Sequence, residues 1–189
     1  MNMANRITIL RILLVPFFMV FLLLNDKYPS VIAFKYFDVV AALIFVVAAA
    51  TDGIDGYVAR KYNQITVFGK FIDPLADKLL VVAALVCLVW MKKIDPVVTT
   101  IIITREFIVT SLRIVAMSEG KVIAASMWGK IKTISQIVAI SAILLQDYFK
   151  ILQIPCLPIT LIYIALVITV YSGVDYIIQN RDVINMKGD

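Results

Sequence analysis

The 189-residue chain contains no histidine. That excludes every mechanism built on an imidazole base, a histidine zinc ligand or a Ser-His-Asp triad. Cysteine is nearly as scarce: Cys87 and Cys156 stand far apart in apolar surroundings, with no C-x-x-C pair and no disulfide framework. Both are expected to be buried packing residues. Charge is thin as well, at 16% of residues against about 25% in an ordinary soluble domain. Apolar residues take its place. A hydrophobic fraction of 62% and a mean hydropathy of +0.96 exclude a soluble globule, and disorder with it. The net charge of +5 would suggest nucleic acid in a soluble protein, but in a membrane chain it reads as the positive-inside bias. No nucleic-acid partner is therefore expected.

A membrane-crossing helix needs about 20 mostly apolar residues, and six runs approach that length. The first, Ile7 to Leu24, lacks a signal-peptide cleavage site and reads as a retained helix. The polar stretch Asn25-Asp26-Lys27, with Pro29 after it, is expected to turn the chain. The second run starts near Phe37, and its uninterrupted apolar part is too short to cross unless the helix continues through Asp52 and Asp55. The third mirrors it, and must start near Gly69 and include Asp73 and Asp77 to reach full length. A turn at residues 92–96 leads to a fourth span ending near Met117, interrupted by Arg105, Glu106 and Arg113. The fifth runs from about Val122 to Leu145, and the sixth, the most apolar, from Leu157 to about Ile178. The expected architecture is all-α: one polytopic membrane domain over residues 1–189, with six transmembrane helices and a cytosol-facing polar cavity. With the N-terminus inside, Arg6, Arg11, Arg60, Lys61, Lys70, Lys121, Arg181 and Lys187 collect on the cytosolic side of a cell membrane.

Ionisable residues within a bilayer are costly and point to function. Asp52, Asp55, Gly56 and Ala59 fall at i, i+3, i+4 and i+7, on one helical face. Gly69, Asp73 and Asp77 fall at i, i+4 and i+8, again on one face. Two adjacent antiparallel helices can turn all four acids towards one point, where they would repel one another unless something cationic sat among them. Arg60 and Lys78 are one source of neutralisation, giving a purely structural ion-pair cluster. Divalent metal is the other. Four carboxylates with no histidine or thiolate beside them suit Mg²⁺ or Mn²⁺, and two such ions would make a site for phosphoryl chemistry.

The string Asp52-x-x-Asp55-Gly56-x-x-Ala59-Arg60, then eight residues, then Gly69-x-x-x-Asp73-x-x-x-Asp77, resembles the complete signature of the CDP-alcohol phosphotransferase family. The six-span pattern resembles that family over nearly the whole chain. The resemblance implies an enzyme that moves a phosphatidyl or similar group from a CDP-linked donor to an alcohol and releases CMP. It also implies two divalent cations, Mg²⁺ or Mn²⁺, with Asp52 and Asp73 bridging both. Asp55 would complete one metal site, and Asp77 would ligate the other ion and act as general base. Asn5, Thr8, Gly56, Ala59, Arg60, Thr66 and Gly69 would contact or make room for the CDP donor, CDP-diacylglycerol. A homodimer embedded in membrane lipid is implied too.

A second polar constellation bears on the acceptor. Glu106, Thr110 and Arg113 lie at i, i+4 and i+7 on the fourth span, and Lys130 and Thr133 at i and i+3 on the fifth, with Lys132 close by. Lysines near helix ends can snorkel to the headgroups, and Arg105 with Glu106 can be an internal salt bridge. Cations converging beside a metal site nevertheless favour an anionic acceptor. Arg113, Lys130, Lys132, Arg105 and Lys121 are accordingly read as acceptor-phosphate ligands. Thr104-Arg105-Glu106-Phe107, Ser111-Leu112-Arg113 and Gly129-Lys130-Ile131-Lys132-Thr133 resemble the branch of the family whose acceptor is sn-glycerol 3-phosphate. The alternatives are a sister enzyme using another phosphorylated alcohol, such as inositol phosphate, and, from a different class, a membrane cation transporter using the acidic cluster. A purely structural membrane subunit would not retain so many charged groups.

Overall fold

A computed structural model describes the backbone of residues 3–28, 36–61, 67–118, 126–154 and 156–181, and within these the side chains other than those of 3–7, 25, 52–61, 67–75, 77 and 118. The described residues form six α-helices and no strand. They are α1 (Met3–Lys27), α2 (Phe37–Lys61), α3 (Val67–Trp90), α4 (Pro96–Ser118), α5 (Met127–Leu145) and α6 (Cys156–Gln179).

On α1, Val15, Phe18 and Leu22 recur at helical spacing and are buried against α2, where Ala41, Ala42, Phe45 and Ala48 form the facing stripe. Phe18 and Phe45 meet with ring centroids 6.0 Å apart. The three alanines matter most here. Between helices in lipid there is little hydrophobic driving force, so close backbone approach and van der Waals packing carry the association. Helix α1 also packs on α3, whose Leu80, Ala84 and Leu88 continue the core, while α5 packs on α2 and α6 and α4 packs on α3 and α6. Ile140, Ile143 and Leu144 of α5 close the core.

The outward faces are apolar too. Leu10, Leu13, Phe17 and Val20 form one exposed stripe along α1, and Ile159, Tyr163, Val167, Val170 and Val174 another along α6. Such surfaces suit acyl chains and do not suit water. By length and hydropathy α5 and α6 are each able to cross a bilayer, and the shorter apolar stretches Thr8–Leu24, Phe37–Thr51 and Lys78–Trp90 lie in α1, α2 and α3.

Two boundaries and the burial of one cysteine differ from the sequence reading. Helix α1 continues through Asn25, Asp26 and Lys27 instead of turning there, and Tyr28 still donates its N–H to Leu24 O at 3.0 Å. None of those three residues forbids helix, and Pro29 in the sequence disfavours helix at the residue before it, Tyr28. Helix α5 starts at Met127 instead of near Val122, because Ser126 is extended (φ −71°, ψ 157°) and caps it, accepting from Gly129 N–H at 3.1 Å. Cys87 is buried as expected, but Cys156 is exposed. As the first residue of α6 it lies outside the packed middle of the bundle, among exposed Ile154 and Ile159.

The turn after α3 falls where expected. Lys92 takes a left-handed φ of 58°, Lys93 N–H reaches back to Leu88 O and Lys92 N–H to Val89 O, each at 2.9 Å. This is the Schellman arrangement that satisfies the last carbonyls of a helix. Asp95 then caps α4, accepting from Val97 N–H at 2.6 Å, with Pro96 at the first helical position.

Candidate active site

The C-terminal parts of α2, α4 and α6 and the N-terminal parts of α3 and α5 border one cavity. The signature residues of α2 and α3 lie on those parts. Asp52, Asp55, Gly56, Ala59 and Arg60 lie on the last turns of α2, Gly69, Asp73 and Asp77 on the first turns of α3, and Asn5 and Thr8 at the start of α1. For Asn5 and the signature residues on α2 and α3 only the backbone is described, while Thr8 is buried. Thr66 and Lys121 lie outside the described residues. Helices α1, α2 and α3 pack on one another, so the two acidic segments belong to neighbouring helices.

The cavity has a volume of about 440 Å³. Ala49, three residues before Asp52, and Lys78, immediately after Asp77, form its wall on the acidic side. Arg105, Glu106, Thr110 and Arg113 of α4 and Lys130, Lys132 and Thr133 of α5 line the rest, with Tyr176 of α6. The structure thus brings together the whole second constellation read from the sequence, apart from Lys121, and sets it against the acidic ends of α2 and α3.

Glu106 organises the floor of this cavity. It is 2% exposed, and its Oε1 accepts from Lys132 Nζ at 2.5 Å and from Gln136 Nε2 at 3.3 Å. Arg105 Nη1 lies 3.6 Å from the same oxygen, and Lys78 Nζ lies 3.8 Å from Oε2. Gln136 donates onward to Thr169 Oγ1 at 2.9 Å, and Arg105 Nη2 to Ser172 Oγ at 2.8 Å, which ties α6 into the network. A single buried carboxylate is therefore held among three cations. The salt bridge between Arg105 and Glu106, one of the two readings of that pair, is formed.

Two further cations remain. Among the described residues Arg113 and Lys130 form no ion pair or side-chain hydrogen bond, and both are exposed at the cavity. The N-terminus of α5 also faces it, through Ser126, Gly129 and Lys130. The dipole of that helix adds to the pull on an anion.

The sequence reading did not single out Thr169, Ser172 and Tyr176 on α6 as site residues. Their signal is spacing: i, i+3 and i+7 put three polar side chains on one stripe of an otherwise apolar helix, and all three are buried. Gly173, beside that stripe, gives Arg105 its seat. A Cβ there would fall 2.9 Å from Arg105 Cγ. Among the described residues no three acidic, histidine or cysteine side chains cluster as a metal site; the side chains of the four signature aspartates are outside them.

An acid-bearing helix pair beside a cation-lined cavity, in a bundle with lipid-suited faces, is an arrangement suited to a membrane enzyme. The family model for CDP-alcohol phosphatidyltransferase matches residues 1–171, and the chain belongs to that family. It is similar to proteins named CDP-diacylglycerol–glycerol-3-phosphate 3-phosphatidyltransferase from Bacillus subtilis (43% identical over 184 residues, 95% of each chain) and Haemophilus influenzae (38% over 185 residues, 93% of this chain and 91% of the relative). A protein of the same name from Rickettsia felis is 34% identical over 176 residues, covering 93% of each chain. The chain is a transferase of phospholipid biosynthesis.

Proposed function

We propose that this protein transfers the phosphatidyl group of CDP-diacylglycerol to sn-glycerol 3-phosphate, giving phosphatidylglycerol phosphate and CMP. The observation that carries the choice of acceptor is the pairing of Arg113 and Lys130, unengaged among the described residues, on a cavity walled by the residue after Asp77. A dianionic phosphate offsets the cost of those charges by charge-assisted hydrogen bonds. Arg105 and Lys132, engaged with Glu106, contribute positive potential more than direct contact. Lys121 completes the set in this reading. The names of the relatives agree with the same acceptor.

The donor set fits divalent metal. Asp52, Asp55, Asp73 and Asp77 offer hard carboxylate oxygens from two neighbouring helices, while Cys87 is buried among apolar residues and Cys156 begins α6, away from that end. When bound, two Mg²⁺ or Mn²⁺ ions supply charge neutralisation on the pyrophosphate and stabilise CMP as leaving group. Asp52 and Asp73 would bridge them, with Asp55 and Asp77 completing the two sites. Arg113 and Lys130 hold the acceptor by its phosphate and direct its free hydroxyl towards Asp77, which takes the proton as the oxygen attacks the β-phosphorus. The bond from that phosphorus to the CMP oxygen breaks, and no covalent enzyme intermediate is needed. Asn5, Thr8, Gly56, Ala59, Arg60, Thr66 and Gly69 are assigned to the CDP moiety.

The same reading makes the protein a multi-pass, six-span protein of the cell membrane, one domain over residues 1–189, homodimeric, with the cavity opening to the cytosol. The basic residues at the cavity end support that orientation. CMP release by purified protein tests the function. Turnover is expected to require CDP-diacylglycerol and glycerol 3-phosphate together; comparable turnover with glycerol, serine or inositol phosphate would assign another reaction.

A further inference from the structure

Tyr176 lies where α6 passes the cavity and is 5% exposed. Its hydroxyl has no hydrogen-bond partner among the described residues. Buried phenols ordinarily find one. Several other polar groups of the cavity wall are already engaged: Thr133 Oγ1 donates to Gly129 O at 3.1 Å, Ser126 Oγ accepts from Gly129 N–H, and the Glu106 carboxylate is surrounded by Lys132, Gln136, Arg105 and Lys78. The charges of Arg113 and Arg105 act on the Tyr176 oxygen. A phenol beside two guanidinium groups turns its lone pairs to them and its proton away. Tyr176 lines a cavity that also holds the donors of Arg113 and Lys130, and a wall of donors selects an anion.

We propose that the Tyr176 hydroxyl donates a hydrogen bond to the phosphate of the bound acceptor, between Arg113 and Lys130. This inference rests on the acceptor assignment given above. It makes Tyr176 a third phosphate ligand, contributed by a third helix, so that the phosphate is fixed in position as well as neutralised. A phosphate gripped from α4, α5 and α6 has little freedom to rotate, and its hydroxyl-bearing end is presented to the acidic helices.

The test is steady-state CMP release by full-length protein in detergent, with glycerol 3-phosphate varied at saturating CDP-diacylglycerol, for wild type, Tyr176→Phe and Arg113→Ala. Phenylalanine keeps the ring and its packing and removes only the hydroxyl. Loss of a hydrogen bond to a charged group predicts a rise in KM for glycerol 3-phosphate of roughly ten- to a hundredfold, with kcat, the KM for the donor and the melting temperature nearly unchanged. The inhibition constant of inorganic phosphate competing with the acceptor is expected to rise by the same factor. An unchanged KM in Tyr176→Phe beside a raised KM in Arg113→Ala would overturn the Tyr176 assignment alone. An unchanged KM in both would overturn the acceptor site itself. A lower melting temperature and kcat with no change in KM would make Tyr176 a packing residue, contrary to the proposal.

Discussion

Lys132 of α5 and Glu106 of α4 form a buried ion pair, Nζ to Oε1 at 2.5 Å, with both side chains almost wholly removed from solvent. Removing one member of such a pair leaves the other uncompensated, at a cost of about 3–5 kcal/mol. Glu106→Gln leaves Lys78, Arg105 and Lys132 around a neutral amide, and a marked fall in melting temperature is expected. Adding Lys132→Met in that background restores part of the loss by removing the most deeply buried cation. If the single and double variants melt alike, the pair does not hold α4 to α5.

Gly173 makes room for Arg105. Gly173→Ala places a methyl 2.9 Å from Arg105 Cγ, so the arginine must move and its hydrogen bond to Ser172 is strained or lost. Overpacking of this kind costs about 1–3 kcal/mol. Thermal unfolding in detergent measures it, and Gly173→Ala with Arg105→Ala is expected to be less than additive, because the second change removes the clash.

At the opposite end, Lys92 holds the left-handed position of the turn after α3. Glycine adopts that conformation without the Cβ clash, so Lys92→Gly is expected to stabilise the protein by about 1 kcal/mol. Melting temperature should rise slightly and CMP release should not change, since this turn is far from the cavity.

Divalent metal and the base make separable predictions. Excess chelator is expected to abolish turnover, and Asp52→Asn or Asp73→Asn to reduce it by orders of magnitude through loss of a bridging carboxylate. Asp77→Asn keeps the volume and one oxygen but cannot take a proton, so kcat should fall far more than donor affinity. Wild-type turnover in that variant would remove Asp77 from the role of base.

The sequence carried the helical plan and the acidic signature because both are periodic along one chain. Charges at i, i+4 and i+7 on α4 and at i and i+3 on α5 were legible as faces, and those faces line one cavity. Their division of labour was not. Lys130 and Lys132 are two residues apart, and nothing in their spacing says that Lys132 turns inward to Glu106 while Lys130 stays exposed. That follows from where α4 packs. The α6 stripe of Thr169, Ser172 and Tyr176 was legible in principle, but three hydroxyls in a run of aliphatic residues carry no charge to draw attention to them. Cys156 was misjudged because apolar neighbours in sequence do not mean burial in a chain whose outer faces are themselves apolar.

The central claim is that Arg113 and Lys130 hold the phosphate of the acceptor. The most direct measurement is the KM for glycerol 3-phosphate in Arg113→Ala and Lys130→Ala, each compared with its KM for CDP-diacylglycerol. The account predicts that the first rises by about tenfold or more in each variant while the second stays close to the wild-type value. Acceptor KM values unchanged in both variants, with glycerol used as readily as glycerol 3-phosphate by the wild type, would contradict it.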